Sequence, residues 1–197
     1  MAIRYLKKTA IGSIRNTENP NKTLQDSEKL YMLCGKCEDL FSKNETWFAN
    51  KLFHPYLNKE KTVFDYDYNL FFFITSVNWR SLYLDLLDFV ENSIVGVEAL
   101  EYLIESENIM NDFLQGKRTD LGTIENHIFF FDDIRNLSDG ASNIAELKPH
   151  ATFHRGIQSY TFCDEKEKTY VTLTNMLGMI LFTIYHKGNN EIWERTE

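Results

Sequence analysis

The spacing of hydrophobic positions predicts three helices in the first two thirds of the chain. From residue 35 to 52 the apolar residues recur about every 3.6 positions, which indicates an amphipathic helix that we expect Pro55 to end. Residues 70 to 90 are apolar on nearly every side, as expected of a buried central helix. A further helix is predicted over residues 97 to 114, where Gly116 is a suitable stop. Its inner face would carry Leu100, Leu103, Ile104, Met110, Phe113 and Leu114.

The last third of the chain favours strands. Residues 127 to 134 form a short apolar run that ends in acids, and residues 153 to 163 partly alternate between apolar and polar side chains. Residues 169 to 186 are rich in β-branched and aromatic side chains, with Gly178 as a bulge or a break. Helices followed by strands predict an α+β fold in which two long packed helices precede a C-terminal antiparallel sheet.

The central helix also carries polar side chains that need partners if they are buried. These residues are Ser76, Asn78, Arg80 and Asp85. A buried arginine usually pairs with a carboxylate, so we predict that Arg80 pairs with Asp85, Asp132 or Asp133.

Composition narrows the class of protein. The chain has 197 residues, of which 43% are apolar and 14% aromatic, enough to fill the core of one domain. Its 21 Lys and Arg against 29 Asp and Glu argue against unspecific binding of nucleic acid, although a local basic groove stays open. We expect a cytoplasmic protein without a membrane span, because no apolar stretch is long enough and the N-terminus lacks a secretory signal.

The cysteines give the main chemical clue. Cys34 and Cys37 have the CxxC spacing that lets two thiolates reach one zinc ion from a turn, directly before the first predicted helix. A structural zinc needs four ligands, and residues 1 to 33 contain no other cysteine or histidine pair. His54 and Cys163 are candidate replacements. The alternatives are two ordinary thiols of a lost site, or a thioredoxin-like redox pair, which usually lies in a strand–helix–strand pattern.

The stretch LCGKCEDLFSKNETWFANKLFHPY at residues 33 to 56, with its CxxCE-x-x-FS-x-x-E run, and SVNWR at residues 76 to 80 resemble a family of uncharacterised bacterial HNH-endonuclease-like proteins. The resemblance implies a treble-clef zinc fold in which Cys34 and Cys37 are the second ligand pair. The upstream CxxC and the histidine segment that would carry hydrolysis have no counterpart here. The resemblance also implies a link to bacterial defence against foreign DNA.

Other residues could hold a metal. His150 and His154 are four residues apart, the spacing of a ligand pair on a helix, but Pro149 and Gly156 flank them. Asp132 and Asp133 follow an apolar run, where carboxylates often bind metals but more often solvate the end of a strand.

We therefore expect an α+β protein with a remnant treble-clef zinc knuckle in residues 1 to 58 and an α+β body in residues 59 to 197, together one continuous domain. The first functional hypothesis is an HNH-like protein without its own catalytic centre, either a natural short form or a fragment. The second is a non-catalytic interaction module that binds a partner protein or forms a homodimer. The third is an independent metal-dependent hydrolase that uses Asp132, Asp133 and nearby histidines. Such an enzyme would be a nuclease.

Overall fold

The computed structural model describes residues 33–130 and 157–187 of the chain. The chain divides into two compact units, Met1–Phe64 and Asp65–Glu197. The described part of the first unit is helical, whereas that of the second unit combines two helices with a sheet.

In the first unit, helix α1 spans Gly35–Phe48 and runs through a π-helical turn, Ala49–Phe53, into the short helix α2, His54–Leu57. The prediction that Pro55 ends the helix is wrong, because Pro55 lies in the first turn of α2. Proline is tolerated there, since the N–H that it lacks would have no partner inside that helix.

The second unit begins with the two long helices. Helix α3 spans Tyr68–Asn92, and the Asp67 side chain caps it by accepting a 2.9 Å hydrogen bond from the backbone N–H of Leu70. Helix α4 spans Val97–Leu114. Among the described residues, no helix is both long enough and apolar enough to cross a membrane.

Aromatic side chains hold α3 against α4. The Phe113 ring lies 5.5 Å from the Phe71 ring and 6.1 Å from the Phe72 ring, measured between centroids. On the same pair of helices, the Trp79 indole N–H donates a 2.6 Å hydrogen bond to the Glu107 carboxylate. The prediction of two long packed helices is therefore confirmed.

Within the described residues, the sheet has four antiparallel strands in the order β1-β4-β3-β2. They are β1 Glu125–Phe130, β2 Ile157–Asp164, β3 Thr169–Met176 and β4 Met179–Lys187. Gly178 is a break rather than a bulge: with Leu177 it forms the turn between β3 and β4, and both residues have positive φ angles of 90° and 57°. The α+β class and the antiparallel sheet are confirmed, but the structure does not show a treble-clef knuckle.

A row of polar side chains, one from each strand, lies between the sheet and α3. We call Asn126, Thr183, Thr174 and Ser159, together with Asn78 of α3, the polar row. The Asn78 side-chain NH₂ donates to the Thr183 hydroxyl, and its carbonyl oxygen accepts from the Thr174 hydroxyl, each at 2.7 Å. Thr183 donates to Asn126 at 2.6 Å, and Ser159 and Thr174 share a 2.6 Å hydrogen bond. The row thus ties every strand to one helix.

The other polar side chains of α3 find different partners. Arg80 donates from Nε to the Ser76 carbonyl at 3.0 Å. Burial raises the pKa of Asp85, while hydrogen bonds from the side chain and backbone of Thr161 partly offset that shift. Two of the predicted carboxylate partners of Arg80, Asp132 and Asp133, lie outside the described residues, so its pairing with an acid stays a prediction.

Candidate thiol site

The two cysteines of the CxxC motif lie together at the start of α1. Cys34 is the N-cap residue, with an extended backbone at φ −74° and ψ 159°, and its carbonyl accepts the first helical hydrogen bond from the N–H of Glu38 at 3.0 Å. Cys37 follows in the first turn of the helix. The two sulfur atoms are 3.3 Å apart and form a hydrogen bond. Both thiols are free, and Cys34 is exposed to solvent.

The two thiols differ in acidity. The backbone N–H of Cys37, and after it the Cys37 thiol, lower the pKa of Cys34. The Cys34 sulfur makes no side-chain capping hydrogen bond, but the attraction between a thiolate and the N–H groups at a helix N-terminus also acts at longer range. The hydrogen bond with Cys34 raises the pKa of Cys37. The surroundings of the two thiols therefore shift their pKa values in opposite directions.

The third cysteine has the opposite character. Cys163 lies in β2, where burial first and the negative charges of Glu165 and Asp85 next raise its pKa to about 11. At neutral pH it is a protonated thiol and a weak nucleophile. Cys163 is therefore a suitable control for experiments on the pair.

The described residues do not complete a four-ligand metal site. In residues 33–130 and 157–187, no three or more His, Cys, Asp or Glu side chains lie close enough to hold a metal ion together. His54, which lies in the same unit as the pair, therefore does not complete such a group with it. Cys163 belongs to the second unit, and its role as a replacement ligand stays a prediction. The His54 ring lies edge-on against Phe53, with 5.5 Å between the ring centroids.

The residues of the hydrolase hypothesis fall outside the described part of the chain. These are Asp132, Asp133, His150 and His154, and their roles stay predictions. Of the other histidines, His127 has its Nε2 3.3 Å from a carboxylate oxygen of Glu125, two residues earlier on β1. Sequence reasoning located the thiol pair but missed the difference between its members. The signal that could have revealed this difference in pKa is the start of the predicted helix, which falls between Cys34 and Cys37.

No protein-family model, no curated protein and no solved structure matches this chain. The resemblance to HNH-endonuclease-like proteins consequently stays a prediction that rests on the quoted motifs.

Proposed function

We propose that this chain is a non-catalytic HNH-like protein in which Cys34 and Cys37 supply two ligands of a structural zinc site. The observation that carries the proposal is the contact between the two sulfur atoms, 3.3 Å apart at the N-terminus of α1. In the family that the motifs resemble, a CxxC pair in this position before a helix is one half of the zinc site.

The geometry of the pair suits a tetrahedral metal. Two sulfurs bound to zinc at about 2.3 Å stand roughly 3.8 Å apart. The observed separation of 3.3 Å is shorter by a few tenths of an ångström, a change within reach of small side-chain rotations. The helix N-terminus also favours the thiolate of Cys34, which is the form that binds zinc.

The remaining two ligands must come from elsewhere. Residues 1 to 32 and 188 to 197 contain neither cysteine nor histidine, so the unassigned histidines of this chain outside the described residues are His150 and His154. The other source is a partner protein that carries the missing half of the site. In either case the chain contributes the site as a structural element and not as a catalytic centre.

The first prediction concerns zinc content. The full chain, purified under reducing conditions, is expected to retain about one zinc ion per chain, because two thiolates and two further ligands form a closed site. Cys34→Ser and Cys37→Ser should each lose most of the metal, whereas Cys163→Ser should keep it. Inductively coupled plasma mass spectrometry on the four proteins measures this directly.

Two outcomes separate the ligand sources. If the double variant His150→Ala, His154→Ala also loses zinc, the chain completes the site itself; if zinc appears only after a partner is added, the site is shared. Zinc that stays at background in the unaltered chain under every condition, or that both serine variants retain in full, would rule out the proposal.

The second prediction tests the absence of catalysis. Supercoiled and linear DNA incubated with the chain and Mg²⁺ or Mn²⁺ should remain intact on a gel, because hydrolysis by an HNH-type site needs a general-base histidine beside a bound metal. Cleavage that disappears in Asp132→Asn or Asp133→Asn would instead establish the hydrolase hypothesis.

A further inference from the structure

We infer that Cys34 and Cys37 are a site of thiol–disulfide exchange, which reacts with small disulfides and closes reversibly to a disulfide between the two residues. This activity requires only the two cysteines, and it belongs to the pair when no zinc is bound to it. Three features of the site carry the inference: an accessible attacking sulfur, a second sulfur in contact with it, and a fixed order between them.

The attacking sulfur is accessible. Cys34 is exposed at the very start of α1, and the space around its neighbour Gly35 is open, since a side-chain carbon placed there would have no heavy atom within 4 Å. A disulfide must reach the sulfur nearly in line with its own S–S bond, so open space on this side matters. Cys37 is less exposed, because it lies within the first turn of the helix.

The order of reaction follows from the position of each residue. Cys34 is exposed at the start of α1, whereas Cys37 is only partly exposed in the first turn, so a small disulfide reaches the Cys34 sulfur first. In the mixed disulfide that forms, the Cys37 sulfur is the neighbouring thiol, 3.3 Å from the Cys34 sulfur before the reaction, and it attacks next.

The reaction consists of two successive exchanges, each of which breaks one sulfur–sulfur bond and forms another. The Cys34 thiolate attacks one sulfur of a disulfide RS–SR, forms the mixed disulfide and releases one thiolate RS⁻. The Cys37 thiol gives its proton to solvent or to that leaving group, and its sulfur attacks the Cys34 sulfur and releases the second RS⁻. The protein has then lost two electrons and two protons, and the small disulfide has been reduced to two thiols.

Closure needs little movement of the protein. A disulfide requires a sulfur separation of about 2.05 Å, so the pair has to approach by roughly 1.3 Å from the observed 3.3 Å. A disulfide cannot bind zinc as two thiolates do, because the electron pairs that would bind the metal are then shared between the sulfurs. Oxidation of the pair and zinc binding therefore exclude each other.

The test uses the full chain, reduced and freed of metal with a chelator, and oxidised glutathione as the small disulfide. Mass spectrometry should show the unaltered chain losing two hydrogens without lasting attachment of glutathione. Cys37→Ser should stop at a mixed disulfide on Cys34. Cys34→Ser should react at Cys37 at least roughly tenfold more slowly. Cys163→Ser should behave as the unaltered chain, and circular dichroism checks that each variant is folded.

A second measurement needs no variant. A short pulse of iodoacetamide followed by peptide mapping should label Cys34 first and Cys163 last in the unaltered chain. The inference is overturned if the unaltered chain accumulates glutathione without closing, or if Cys34 and Cys37 react at equal rates in both experiments. Zinc content measured on the same protein before the chelator is added keeps the two proposals apart: closure in a protein purified without zinc rejects only the metal site, and zinc in a protein that does not close after its removal rejects only the exchange.

Discussion

Replacing Phe113 by alanine is expected to lower the free energy of unfolding by about 3–5 kcal/mol. The Phe113 side chain is 2% exposed and fills the space between α3 and α4. Its ring contacts Tyr68, Phe71 and Phe72, with centroid distances of 6.0, 5.5 and 6.1 Å. Alanine would remove these contacts and leave a cavity that the rigid rings around it cannot fill.

The matched control is Phe162→Ala on the edge strand β2. Phe162 is 51% exposed, so the same chemical change there should cost less than about 1 kcal/mol. Urea unfolding followed by circular dichroism measures the two losses in the free energy of unfolding. The comparison uses one common slope of this free energy against urea concentration. Equal losses for the two variants would show that Phe113 does not anchor the helix pair.

The helices of the second unit were predictable because their signal is local. The prediction of residues 70 to 90 falls within two residues of α3 at each end, and the prediction of Val97–Leu114 coincides with α4. The signal of α3 is a long, nearly continuous apolar run, and a run of this length favours a helix over a strand. Pro55 shows the limit of such reasoning. A π-helical turn restarts the helix just before it, and no sequence period reveals that turn.

The strands and their antiparallel sheet were predictable, but the order of the strands in the sheet was not. Alternation and β-branched residues locate β3 and β4, and Gly178 marks the turn between them. The pairing of β1 with β4 joins strands that lie at opposite ends of the sheet-forming region. Such pairing depends on which faces pack against α3, and that information is not in any short window of sequence.

The candidate site and the polar side chains also show that local signals are predictable from the sequence and long-range contacts are not. Spacing alone located Cys34 and Cys37, since both cysteines of a CxxC pair belong to one turn. The need of Asn78 for partners was also predictable, because it lies in an apolar helix. The partner itself, Thr183, is 105 residues away and became visible only in the folded chain.

Replacing Asn78 by alanine is the second change with a large expected effect, a loss of about 3–4 kcal/mol in the free energy of unfolding. Asn78 is fully buried and joins α3 to two strands through Thr183 and Thr174. Alanine would leave both hydroxyl groups with one partner fewer in a site that water does not reach, at about 1–3 kcal/mol each. The control is Asn108→Ala on the exposed face of α4, where Asn108 donates to the Ile104 carbonyl and a loss within about 0.5 kcal/mol is expected.

Asn78→Asp separates the loss of a hydrogen bond from the loss of volume, because the two side chains have nearly the same shape. The new carboxylate oxygen would face the Thr183 hydroxyl, which already donates its proton to Asn126 at 2.6 Å. This oxygen would therefore have no hydrogen-bond donor in the polar row. Burial raises the folded-state pKa of a carboxyl above its unfolded value of about 3.9. The folded state of this variant then binds the carboxyl proton more tightly than the unfolded state does. The loss in its free energy of unfolding, relative to the unaltered chain, should therefore grow as the pH rises from about 4 to 7. A penalty that is flat across this range, or an Asn78→Ala variant as stable as Asn108→Ala, would show that the polar row does not hold the sheet to α3.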